Sequence, residues 1–160
     1  MNPMVQVDKT IYDRLTDDAG LGCLFGNPSL VQGVYATAAP SSAMPTTDRD
    51  SLPIITFSHT AEAIKTDDTD GWEVTVLVEV VGSRDKGSAD SLGVIMDRVH
   101  GDVASSGTPT YGLQRWEPAN ANGYTFAPMD FESWATAHDD TYYVLQTVWT
   151  LHIWQEHSES

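Results

Sequence analysis

The sequence predicts an α+β fold: a mostly antiparallel or mixed β-sheet with one principal helix and an N-terminal helix packed on it. Two strand patterns and one helical pattern carry that prediction. Residues 141–155, TYYVLQTVWTLHIWQ, form the longest run of β-branched and aromatic side chains, with no Gly or Pro to interrupt a ladder. Residues 72–81, WEVTVLVEVV, alternate at period two. Between them Ala89, Leu92, Ile95, Met96, Val99 and Val103 recur at helical spacing and predict a helix over 88–104. Strands interrupted by one major helix place a helix layer on one sheet face.

Taken in order, Val7, Ile11 and Leu15 recur every four residues and predict a helix over 4–16, with Asp8 placed to help cap its start. Thr16, Asp17 and Asp18 read as a fresh helix start, and the piece that follows, through Leu21, Leu24 and Phe25, stops at Gly26-Asn27-Pro28. Residues 31–38 are a short β-prone piece. Residues 39–51, APSSAMPTTDRDS, hold two prolines and little to bury, so a long exposed loop is expected there. Residues 52–59, LPIITFSH, resume as a strand, 61–66 as a bend or short extension, and 67–71 as an acidic turn between antiparallel strands.

On the strand at 72–81, Trp72, Val74, Val76, Val78 and Val80 share one face, and Glu73, Thr75, Leu77, Glu79 and Val81 the other. One buried and one partly wet face marks antiparallel pairing. Gly93 and Gly101 each weaken the principal helix by roughly 1 kcal/mol relative to alanine, so packing must hold it. Residues 111–117 read as a strand, 118–123 as a turn-rich link, and 124–134 as a less regular aromatic segment. The last strand presents Tyr143, Leu145, Thr147, Trp149, Leu151 and Ile153 to the core; its other face is mixed, partly covered or meeting another copy.

The 160 residues make one domain, 1–160, with the loop at 39–51 and a polar tail at 156–160. A lone cysteine, Cys23, excludes an internal disulfide and a thiolate metal cluster. The opening MNPMVQVDKT lacks the order of a secretory signal, and no apolar run approaches a membrane span. A net charge of -15, from 23 acidic and 8 basic residues, argues against adhesion to nucleic acid through a basic surface.

Catalytic signatures are missing from the sequence: no Gly-x-Ser-x-Gly elbow, no phosphate-binding glycine loop with Lys, no His-Glu-x-x-His pair. Gly20-Leu21-Gly22 fails as a dinucleotide fingerprint because the third glycine position is Phe25. Asp67, Asp68 and Asp70 before Gly71 fail as a calcium loop, whose first and twelfth positions would be Thr66 and Leu77. His138, Asp139 and Asp140 are the best chemical-looking cluster, and a solvated turn explains them as well. The expectation is a protein without catalytic, cofactor-binding or metal-binding residues; a small-ligand-binding or enzymatic α+β domain using His138, Asp139 and Asp140 is the competing class.

The order of elements resembles a known family. An N-terminal helical part ending in LFGN, then GVYATAAP, then LPIITFSH, then WEVTVLVEVVGSRDKGSADSLGVIMDRVHGDV and finally YYVLQTVWTLHIW is similar to the tail terminator, or tail-completion, proteins of long-tailed bacteriophages. The resemblance spans residues 4–154 and rests on diffuse hydrophobic patterns. The loop at 39–51 is longer than the family leads one to expect, and residues 116–141 are larger and more aromatic.

The resemblance implies a structural virion protein assembled in the bacterial cytoplasm. Its members form a ring, commonly of six copies, that caps the head-proximal end of the tail tube, stops tube polymerisation and joins the tail to the head-tail connector. A connector subunit on the head side of the neck is the nearest alternative. The partners implied are other copies of the chain, the tail tube protein and the connector, with DNA passing through the lumen without specific binding and no membrane. Expected interface residues are Pro40, Met44, Pro45, Arg49, Phe131, Trp134 and Trp154; lumen-facing carboxylates are sought among Asp67, Asp68, Asp70, Asp139 and Asp140.

Overall fold

The computed structural model describes residues 3–17, 31–46, 52–65, 69–83, 89–101, 111–139 and 141–156. In chain order these form α1 (Pro3–Thr16), β1 (Val34–Ala36), a single 3-10 turn at Ser41–Ala43, β2 (Ile54–Lys65), β3 (Thr69–Ser83), α2 (Ala89–His100), β4 (Tyr124–Phe126), β5 (Asp130–His138) and β6 (Tyr142–Glu156). The fold is α+β, a mixed sheet with helices on one face.

The sheet is built outward from β6. One side of β6 pairs with β3 along its whole length, from Ser83↔Tyr142 to Thr69↔Glu156. Its other side carries two shorter strands end to end: β4 opposite residues 153–155 and β5 opposite residues 143–150. β2 pairs with β3 from Ile54↔Val81 to Lys65↔Asp70, and β1 adds three parallel residues to β2, Val34↔Ile55 to Ala36↔Phe57. All pairings except β1 with β2 are antiparallel.

The alternation in β3 and β6 decides which face meets the helices. Val74, Val76, Val78 and Val80 lie opposite Leu151, Trp149, Thr147 and Leu145, and the first four are fully buried with Trp149, Leu151 and Ile153. Onto this face α1 sets Val7, Ile11 and Leu15, and α2 sets Leu92, Ile95 and Val99. At about 25 cal/mol per Å² of apolar surface removed from water, this burial is the main force holding both helices. Thr147 is the one polar residue of the row; its hydroxyl accepts from the Trp149 indole N–H at 2.9 Å.

Several expectations are corrected. Asp8 lies inside α1, which opens on Pro3, where a missing N–H costs nothing. Asp17 continues α1, its N–H bonded to the Asp13 carbonyl; the rest of the expected second helix, Cys23 included, falls outside the described residues. Residues 61–65 are strand, imposed by pairing with Asp70–Val74 despite Ala61, Glu62 and Ala63 being poor β-formers. Asp70 and Gly71 likewise belong to β3, leaving only 66–68 between the strands.

Within the loop expected to be exposed, Ala43 and Pro45 are buried. α2 stops at His100, because Gly101 has φ +101° and sits where a Cβ would strike the backbone of Gly112. Residues 111–117 are not a strand. Gly112 (φ +83°) and Arg115 (φ 59°) break the extended path, and the segment turns back to give the N–H groups of Leu113 and Gln114 to the Val99 and His100 carbonyls, at 2.9 Å each. That loop caps α2 by tertiary contact. The aromatic segment at 124–134 resolves into β4 and most of β5.

Candidate functional site

Among the described residues the sheet ends in two open edges. β1 covers β2 only at residues 55–57, so among the described residues the run 58–65 has its outer side unpaired. At the opposite side, among the described residues, β5 pairs with β6 alone, and every residue of β5 except Phe131 is exposed. Exposed edges present rows of free N–H and C=O groups, which proteins ordinarily blunt with bulges, Lys or Pro. Here a bulge between Phe131 and Ser133 and the carboxylates of Asp130 and Glu132 protect the start of β5; Ser133 to His138 carry neither Lys nor Pro.

The face turned away from the helices is the second feature. It carries Thr60 and Glu62 from β2, Glu73, Thr75, Leu77 and Glu79 from β3, and Gln146, Val148, Thr150 and His152 from β6. Glu62 lies directly opposite Glu73, whose carboxylate is 3.3 Å from His152 Nε2. Glu132 joins the same face, accepting from the Thr150 hydroxyl at 2.9 Å. Among the described side chains this face bears carboxylates and no Lys or Arg. Trp154 closes one end of it, lying across Gly71, where a Cβ would collide with the indole.

The third feature is an apolar groove of about 410 Å³ on the helix-covered face, between α2 and β5. Met96, His100, Phe131, Trp134 and Leu145 line it, with Gly93 and Asp97 at the helix side. His100 and Phe131 in its wall pack on the buried Trp149 behind them, with ring centroids 5.0 to 5.3 Å apart. Trp134 stands at its lip, 69% exposed.

The residues singled out from the sequence scatter over these features. Trp134 is exposed at the groove, Phe131 is half-buried in its wall, and Trp154 is half-buried over Gly71. Pro40 is exposed, Met44 half-buried and Pro45 buried; Arg49 lies outside the described residues. Asp70 belongs to the end of the sheet where β2 turns into β3, and Asp139 to the opposite end, after β5. Asp67, Asp68 and Asp140 are outside the described residues. Asp139 accepts from the Thr141 and Tyr142 N–H groups at 2.7 Å each, a turn-building role. His138 is exposed, its ring tilted against that of Tyr143 at 5.6 Å, away from the groove.

Among the described residues no three His, Cys, Asp or Glu side chains are grouped to hold a metal ion. Among the described residues no helix is long and apolar enough to cross a membrane. The groove went unread in the sequence because its walls come from three separate elements. The glutamates of the open face were legible as the wet side of β3, but not as one surface, since that required the register of β2 and β6. No protein-family model matches this sequence, and no relative emerges among curated proteins.

Proposed function

We propose that the protein is a ring-forming structural subunit of a phage virion, a tail terminator that caps the head-proximal end of the tail tube and joins it to the head-tail connector. The observation that carries this reading is the pair of open edges. β2, β3, β6 and β5 alternate in direction, so a second copy placed edge to edge in the same orientation sets its β2 antiparallel to β5. Such a contact uses different surfaces on the two partners, and it repeats until a rotation closes it into a ring. The order of elements that resembles tail terminators supports the same reading.

With the described helices on one face only, a ring of this kind has a helical exterior and a lumen lined by the open face. Glu62, Glu73, Glu79 and Glu132 then face the passing DNA beside any of the turn carboxylates Asp67, Asp68, Asp70, Asp139 and Asp140 that reach inward. Like charge discourages the phosphate backbone from sticking. The ring and the partners named above require no cofactor and no catalytic residue.

Electron microscopy of the purified protein, with native mass, tests the reading. Rings with a central hole, and tails of uncontrolled length from a virus lacking the protein, are expected. A protein that stays monomeric at high concentration and gains thermal stability from a metabolite or metal overturns it in favour of a ligand-binding domain. Rings found on filled heads and not on isolated tails favour the connector subunit.

A further inference from the structure

We propose that residues 134–138 of β5, with the groove beside them, bind an extended segment of a different protein, which adds a strand to β5 and sets one Lys or Arg side chain in the groove. The register keeps this stretch available. Trp134, Ala135 and Thr136 lie on the sheet rows of Phe57, Thr56 and Ile55, joined through β6 and β3. On those rows β1 already occupies the outer side of β2. A copy set edge to edge at the same level therefore reaches β5 only as far as Ser133, on the row of Ser58, and leaves 134–138 uncovered. The contact needs one copy of the chain and holds with or without a ring.

The edge favours a strand as the occupant. Residues 134–138 are exposed, and among the described residues their outer side has no strand partner. They also lack the Lys or Pro that ordinarily blunts such an edge. An added strand takes affinity from main-chain bonds and specificity from a pocket that receives one of its side chains. Trp134 pairs with Thr147 and Thr136 with Leu145, so the side chains of the added strand that share their face point to the groove side.

Charge complementarity says what that side chain is. Asp97 is the one carboxylate lining the groove, exposed and without an ion-pair partner among the described residues. No Lys or Arg lines the groove or lies on β5, and the neighbouring Arg98 is held over the Tyr111 ring, 3.5 Å from its centroid. Trp134, 69% exposed at the lip, offers an aromatic face to a cation. Met96 and Leu145 form an apolar bed for a methylene stem, and the space over Gly93 is open, since a Cβ there would meet nothing within 4 Å. Small-molecule sites enclose most of their ligand, which a groove with so exposed a lip does not do. A second copy is a poor source of the cation: its net charge is -15, and Lys9, Arg14 and Arg98 are engaged with Asp13, Trp116 and Tyr111.

Selection of random displayed heptapeptides on the intact protein tests the site. The peptides recovered are expected to share a Lys or Arg position, and to lose about tenfold or more in affinity on Trp134→Ala and on Gly93→Leu. Gly93→Leu fills the groove and favours the helix, so thermal unfolding should hold or rise while binding falls. Asp97→Asn should weaken binding about threefold and remove most of its salt dependence. In the complex, amides of residues 134–138 that face away from β6 should exchange more slowly. A library that yields no binder overturns the proposal, as do binders without a shared basic residue, binders indifferent to both groove variants, or unchanged exchange along 134–138. Trp134→Cys chains in a Cys23→Ser background that crosslink to one another overturn it in favour of a second copy as the occupant.

Discussion

Val78 and Leu77 are adjacent in β3, yet one is fully buried and the other only partly, and the same contrast runs along β6 between Trp149 and Val148. The helix-covered face is packed by two helices and a capping loop; the open face has polar neighbours and a glutamate opposite a glutamate. One backbone thus serves two ends. Its inner side chains hold the monomer together, and its outer ones are freer of that duty except where β2 begins, at Ile54 and Val81, which are buried.

The comparison can be broken most forcefully at the helix layer. Val99→Asp places an unpaired charge in the covered face, a cost above about 4 kcal/mol, and is expected to abolish soluble expression. Normal folding of that variant would refute the packing of α2. A paired test comes next: Trp149→Ala should lower stability to urea by about 3–5 kcal/mol, and Val148→Ala, one residue along, by less than about 1 kcal/mol. Equal losses would mean that the second face is covered too.

Gly112→Ala should cost about 1–3 kcal/mol, because it adds a Cβ at φ +83° against the backbone of Gly101 and pushes the cap off α2. Thermal unfolding and amide exchange at the end of α2 measure it. The smallest effect is expected on the open face. Glu62→Gln relieves the repulsion from Glu73 and should change stability by no more than about 0.5 kcal/mol, toward greater stability. Under the ring reading that variant slows genome ejection at low salt, where screening is weak.

What the sequence made legible was whatever depended on local periodicity. The alternation of Val74 to Val80 and the buried row of the last strand could be read directly, because each residue's face follows from its parity alone. Strand identity at 61–65 could not, since Ala61, Glu62 and Ala63 are extended by their partners' demand. Residues 111–117 misled for the opposite reason: Tyr111, Leu113 and Trp116 look strand-like, and the turn at Gly112 was the only local sign against it. Trp134 was singled out as a surface aromatic, but the groove beside it exists only once α2 and β6 meet.

The pairing of β3 with β6 also governs how the chain reaches this state. β2 with β3, and β5 with β6, are hairpins of neighbouring segments, and each can form early and locally. Their union joins residues far apart in sequence, Ser83 to Tyr142 and Thr69 to Glu156, with α2 and the loop at 111–123 lying between. Bringing such distant partners together loses loop entropy before any contact repays it, so the docking of the two hairpins is expected to be slower than the formation of either, which stopped-flow refolding would measure. Until it occurs, β3 and β6 each expose an unpaired valine- or tryptophan-bearing margin, and aggregation competes with folding at that moment more than at any other.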